Sequence, residues 1–166
     1  MPAIKNIQQK LDKEISTLLK PSLEKPKGST NKTPKLTYEG FLADKVLIIA
    51  AIKKGIPYSL FELIQEYAPF SESEWAKFLH ISTKSLQRYK LADKPFKPDQ
   101  SERIIDLAEL VNTGLMFFGD MEDFKLWLII PNIPLGRVKP VELLSDSFGR
   151  SLIRDELTRM YHGIFV

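Results

Sequence analysis

Ser73–Lys90 reads SEWAKFLHISTKSLQRYK, two short helical patterns meeting at a tight corner. Trp75, Leu79, Ile81, Leu86 and Tyr89 fall at spacings that bury one side of both helices, and Ala76 supplies the small residue needed where such helices touch. Ser82 is placed to cap the second helix. The corner position, usually glycine, is His80, so the turn must either accept a left-handed backbone there or change its geometry. Thr83, Lys84, Gln87 and Arg88 are left on the outer face and, with Ser82, are the candidate DNA-binding residues; no acid interrupts Ser82 to Ala92. Arg can read guanine edges, Gln can read adenine and Lys can meet phosphate, so this stretch is a candidate helix-turn-helix with a DNA-reading second helix. The competing reading is a helical hairpin with a solvated basic face. Trp75 and Tyr89 are expected in the core rather than as platforms for bases.

Working outward, 166 residues with 43% apolar content suit one compact domain or two small ones. The absence of cysteine excludes a disulfide scaffold, a thiolate zinc site and a cysteine nucleophile together. The longest apolar run, Val46 to Ile52, is too short to cross a bilayer, and no apolar signal segment opens the chain, so a cytoplasmic protein without membrane contact is expected. The net charge of +3 is misleading as a nucleic-acid signal: residues 1–36 carry +5 and the remaining 130 sum to −2. A DNA reading must rest on the local cluster of bases instead.

Ile4, Ile7, Leu11, Ile15 and Leu18 recur at helical steps and predict an N-terminal helix that stops at Pro21. Its stripe can dock on its own domain or on a second copy of the chain. Pro21–Lys35 is rich in Pro, Lys, Ser and Thr and reads as a solvated linker, so removal of residues 1–35 is expected to leave the helical core intact. Beyond it, Ser59 with Glu62, Ser71 with Glu74, Asp99 with Glu102 and Asp120 with Asp123 predict four capped helix starts. KVLIIAAIK also suits a buried strand, but its alanines and the lack of a partner strand favour helix. A long helix is predicted over 99–118, then a Pro-rich ordered loop, NIPLGRVKP, and a last helix over about 147–162. The expectation is an all-α chain: an N-terminal helix and linker (1–36), a helix-turn-helix subdomain (37–98) and a smaller helical subdomain (99–166). His80 and His162 are isolated, no metal-ligand spacing or phosphate-cradling glycine turn occurs, and Glu122 and Asp123 suit a helix start; no catalytic residue, cofactor site or metal site is nominated.

The second half carries FFGD at 117–120, Trp127-Leu128, Pro131-Asn132 followed by Pro134-Leu135-Gly136, Pro140 with Glu142-Leu143-Leu144, Gly149 and a terminal Tyr-His-Gly. In this order they resemble the toxin-binding domain of Xre/MbcA/ParS antitoxins, which follows a degenerate Xre-like helix-turn-helix; the resemblance runs from about Lys45 to the C-terminus. Phe124 stands where the family commonly has alanine, and Arg137 where a second glycine is common. The resemblance implies a non-enzymatic antitoxin that binds operator DNA and neutralises a cognate toxin, either a RES-type enzyme that consumes NAD or an ADP-ribosyltransferase-like one, and that acts as a homodimer. On the last helix and tail, Arg150, Arg154, Arg159, Tyr161, Ile164 and Phe165 are the candidate toxin-binding residues, with Gly163 placed to turn the apolar end away from the helix axis. Phe165 folding back on its own core is the competing reading. Two other functions remain open at this point: a helix-turn-helix regulator without a toxin, whose C-terminal half serves self-association, and a protein adaptor without an operator.

Overall fold

The computed structural model describes residues 2–23 and 36–163. They form α1 (Pro2–Leu23), α2 (Tyr38–Ala43), α3 (Lys45–Lys54), α4 (Tyr58–Tyr67), α5 (Glu72–Phe78), α6 (Thr83–Ala92), α7 (Pro98–Phe118), α8 (Met121–Ile129), α9 (Pro140–Leu143) and α10 (Ser147–Tyr161). Among the described residues there is no strand beyond one isolated bridge, Asn132 with Val138, and no helix is long and apolar enough to cross a membrane. KVLIIAAIK is helical, started by Asp44, whose carboxylate accepts from Val46 and Leu47 N–H at 2.9 and 3.2 Å.

Packing groups the chain into two compact units, divided differently from the expected boundary at 98 and 99. Unit 1 contains the residues up to Tyr67 together with Gln87–Ile105; unit 2 contains Ala68–Leu86 together with Asp106 onward. In unit 1, α1 packs chiefly on α4 and also meets α2 and α3. Leu11, Ile15, Leu18 and Leu19 are buried. Polar contacts fix the docking: Asp12 accepts from the Tyr38 N–H at 2.7 Å, Gln8 donates to Glu39 at 3.0 Å, and Lys54 donates to the Leu18 carbonyl at 2.8 Å. The N-terminal stripe therefore docks on its own unit, and the expectation that residues 1–35 are dispensable to the core is corrected. The helix also runs to Leu23 rather than stopping at Pro21. A proline so near the end forfeits a hydrogen bond only within the last turn, which finishes the helix without breaking its body. Of the expected linker, residues 24–35 lie outside the described residues.

Buried Ser101 joins two segments of unit 1, accepting from Ile56 N–H at 3.0 Å and donating to the Phe96 carbonyl at 3.2 Å. Tyr89 stacks on Phe96 with ring centroids 4.3 Å apart and donates to Gln100 at 2.8 Å, in keeping with a packing role.

In unit 2 the Ser71–Glu74 capping box forms in full and starts α5, and Asp120 caps α8, accepting from Glu122 rather than Asp123. Two expected caps are corrected. Ser59 lies inside α4, where it donates to Glu14, and Asp99 lies inside α7, which begins at Pro98. Both helices take their first turn from residues before the expected cap: Phe61 N–H bonds the Pro57 carbonyl and Ser101 N–H bonds the Lys97 carbonyl. Gly149 is required by close approach, since a Cβ there would lie 2.0 Å from the Leu143 carbonyl oxygen. A Cβ on Gly114 would stand 2.4 Å from the Phe124 ring. The large side chain at 124, a departure from the family pattern, is accommodated because the facing position has no side chain.

Candidate functional site

The corner between α5 and α6 is built as the sequence requires. Trp75, Ala76, Phe78 and Leu79 are buried, and His80 has φ of 55°, the left-handed backbone expected of a residue replacing glycine. Such a conformation costs roughly 1–2 kcal/mol for a residue with a Cβ. The turn is closed by Ile81 N–H on the Ala76 carbonyl at 3.0 Å, and the His80 ring meets the Ser145 carbonyl oxygen at 2.8 Å. Ser82 caps α6, accepting from Ser85 N–H at 3.0 Å. That capping role occupies its hydroxyl, leaving Thr83, Lys84, Gln87 and Arg88 as the fully outward side chains; all four are exposed. Leu91, 87% exposed, continues the Lys84–Arg88 stripe by one more turn. Sequence reasoning missed it because an apolar residue at a helix end is read first as core.

The C-terminal candidates separate. Arg150 is buried: its Nε donates to Asp106 and its Nη1 to the Leu144 carbonyl at 2.9 Å. It holds α10 to α7 and α9 from within unit 2, so this toxin-binding candidate is buried in the structure of the chain alone. Arg154, half-buried, donates to the second Asp106 oxygen, and Arg159 pairs with buried Glu156. A single carboxylate thus anchors two arginines one helical turn apart, which sets the rotation of α10. Tyr161 is exposed, and Gly163 follows with φ of 69°, the left-handed helix end its sequence position suggested. Ile164 and Phe165 lie outside the described residues.

Unit 2 also exposes apolar side chains that the sequence reading did not single out: Met116 on α7, Leu126 and Ile129 on α8, Ile130 and Ile133 just after it, and Phe148 and Leu152 on α10. Their signal was an excess of apolar residues. Phe124 and Leu128 already fill the inward face of α8, so Leu126 and Ile129 have no inward place left.

The described residues thus present a capped two-helix corner, an acid-free outward face on its second helix and, in unit 2, exposed apolar side chains. Comparison with known proteins assigns the family. Residues 47–109 match the family model "Antitoxin Xre-like helix-turn-helix domain", and residues 114–163 match "Antitoxin Xre/MbcA/ParS C-terminal toxin-binding domain". The chain belongs to the Xre/MbcA/ParS-type antitoxins. It is 28% identical over 120 residues to Antitoxin Xre of Yersinia enterocolitica, covering 72% of this chain and 81% of that one. It is 27% identical over 145 residues to the Prs ADP-ribosylating antitoxin of a Sphingobium species, covering 80% and 90%. In fold it is similar to a chain of the crystal structure of the M. tuberculosis MbcT–MbcA toxin–antitoxin complex, with a TM-score of 0.52 and 20% identity over 64% of this chain and 94% of that one.

Proposed function

We propose that the chain neutralises a cognate toxin by covering it with the surface of residues 99–166, and represses its own operon through the helix-turn-helix of residues 37–98. The observation that carries the first part is the distribution of exposed apolar side chains: of eleven large exposed hydrophobics among the described residues, eight fall within the 114–163 toxin-binding match. Apolar surface kept in water at this density is stabilised by burial against a partner. The toxin is a RES-type enzyme that consumes NAD or a related ADP-ribosyl-transferring enzyme; similarity to the Prs ADP-ribosylating antitoxin of Sphingobium supports that class. Neutralisation by occlusion asks for complementarity and no reactive group, and the NAD chemistry belongs to the toxin. Arg154, Arg159 and Tyr161, with Ile164 and Phe165 beyond the described residues, form the α10 end of the contact.

For DNA, Thr83, Lys84, Gln87 and Arg88 face the major groove, the Ser82 cap sets the start of their helix, and Leu91 meets a thymine methyl. A homodimer places two such helices on an operator with repeated half-sites. Expression of the reading frame adjoining this gene should arrest growth, and co-expression of this chain should restore it. Growth arrest that persists despite full expression of the chain would remove the antitoxin role. In mobility-shift assays Gln87→Ala and Arg88→Ala should each weaken operator binding by about 1–3 kcal/mol. A double variant that binds operator and scrambled DNA as the wild type does would take the reading role from α6.

A further inference from the structure

His80 is strained at a position that glycine fills without cost. The corner of a helix-turn-helix is commonly glycine, which takes a left-handed backbone freely, whereas His80 has φ of 55° with a Cβ in place. A residue held in that way persists where its surroundings over-determine it. Closing the turn does not require the side chain: His80 N–H bonds the Lys77 carbonyl at 3.1 Å and Ile81 N–H the Ala76 carbonyl at 3.0 Å. Filling a core does not require it either, since His80 is exposed.

What the imidazole adds is a link across 65 positions of sequence. Its Nε2 lies 2.8 Å from the Ser145 carbonyl oxygen, and because a carbonyl only accepts, Nε2 carries the proton and donates it. The acceptor is firmly mounted. Leu144, fully buried, offers its carbonyl to Arg150 Nη1 at 2.9 Å, and Arg150 is itself held by Asp106 on α7. On the other side of Ser145, Asp146 caps α10 by accepting from Gly149 N–H at 2.8 Å. The donor end is the corner that launches α6, whose cap, Ser82, follows two residues later. Both ends of the link, and α6 as far as Leu86, lie in unit 2.

We propose that His80 is a positioning residue for operator recognition: its ring, pinned to the Ser145 carbonyl, fixes the direction in which α6 leaves the corner. This rests on the DNA-reading role of α6 proposed above. Contacts to base edges need their side chains held to within about 0.5 Å, whereas phosphate contacts orient the protein without reading sequence. A change of angle at the corner grows along the helix and is larger at Gln87 and Arg88 than at Thr83. Glycine at position 80 would relax the backbone and release the helix together, so stability and operator affinity move apart. A side chain with only a packing role would move them in the same direction.

The test uses the full chain, a duplex carrying the DNA upstream of this gene and a scrambled duplex of equal length, beside thermal melts. His80→Gly should melt at or above the wild-type temperature while its affinity for the upstream duplex falls about 3–10-fold, the equivalent of one ordinary hydrogen bond. Affinity for the scrambled duplex, which phosphate contacts supply, should not change. His80→Gln, whose amide nitrogen can take the place of Nε2, should keep wild-type affinity; His80→Met, of similar length but without a donor, should lose as much as His80→Gly. If His80→Gly lowers the melt, the Gln and Met variants, alike in backbone strain and different in the donor, carry the test. Wild-type discrimination between the two duplexes in His80→Met would overturn the positioning role and leave the operator reading standing. A loss in His80→Gln as large as in His80→Met would overturn it as well, because the bond would not be the cause. A wild-type chain that treats both duplexes alike would overturn both readings.

Discussion

Replacing Ile15 by Ala tests whether α1 belongs to the core of unit 1. Ile15 is fully buried in the middle of α1, between buried Leu11 and Leu18–Leu19. Truncating a buried Ile to Ala costs about 2–5 kcal/mol, because the transfer energy of the removed carbons is lost and the cavity collapses only in part. For a chain of this size each kcal/mol lowers Tm by about 2–4 °C, so the variant should melt roughly 4–20 °C below wild type. Thr17→Ala, on the exposed side of the same helix, should stay within about 0.5 kcal/mol. Deleting residues 1–35 removes all four side chains, worth about 6–12 kcal/mol at 1.5–3 kcal/mol each. That is of the order of the entire stability of a domain. It also strips the Tyr38 N–H of its Asp12 acceptor. Differential scanning calorimetry and far-ultraviolet circular dichroism of the three proteins give the comparison. A deletion variant that melts at the wild-type temperature with a wild-type enthalpy would refute the packing argument and return the segment to the role of a dispensable arm.

Asp106→Ala leaves buried Arg150 without its carboxylate and should destabilise unit 2 by about 3–5 kcal/mol in denaturant melts; a shift under 1 kcal/mol would show that Arg150 finds another partner. Gly114→Ala should cost about 1–3 kcal/mol by driving its Cβ into the Phe124 ring. The same change in a Phe124→Ala background should cost almost nothing, and strict additivity in this double-mutant cycle would contradict the contact. Burial, and secondarily the Glu39 carboxylate, raises the Tyr67 phenol above its ordinary pKa of 10.0. The neutral phenol is therefore favoured by folding: its contribution is complete below pH 10.0 and declines as pH rises from there through the folded value. Tyr67→Phe should flatten the fall of Tm above that pH, and superimposable alkaline profiles would remove Tyr67 as a cause.

Much of this molecule was legible in its sequence because the signals were local. The Ser71–Glu74 box and the Gly163 helix end form as read, Asp120 caps its helix though through Glu122 rather than Asp123, and of the two readings open for His80 the left-handed one is found; each is decided by neighbours within a few residues. Failures came where partners distant in the chain decide. Ser59 reads as a cap until Glu14 reaches it from α1, and Arg150 reads as a surface cation until Asp106 claims it. The α1 stripe showed that a partner was needed but not which one, since α4 presents its face only after folding. The exposed series on α8 was hidden for the opposite reason: apolar residues in a helix are assigned to a core by default, and only packing shows which ones the core has no room for. Arg137 carries a legible lesson as well, since the glycine common at its position answers to a left-handed backbone that Arg137 adopts here with φ of 62°.

We propose that this chain silences an NAD-directed enzyme by covering it. The most direct test is a titration of NAD consumption by the purified product of the adjoining reading frame against the purified full-length chain. Turnover should fall linearly to near zero at a fixed molar ratio, with the chain recovered unmodified from the complex by mass spectrometry. Undiminished NAD consumption at a large excess of the folded chain would contradict it.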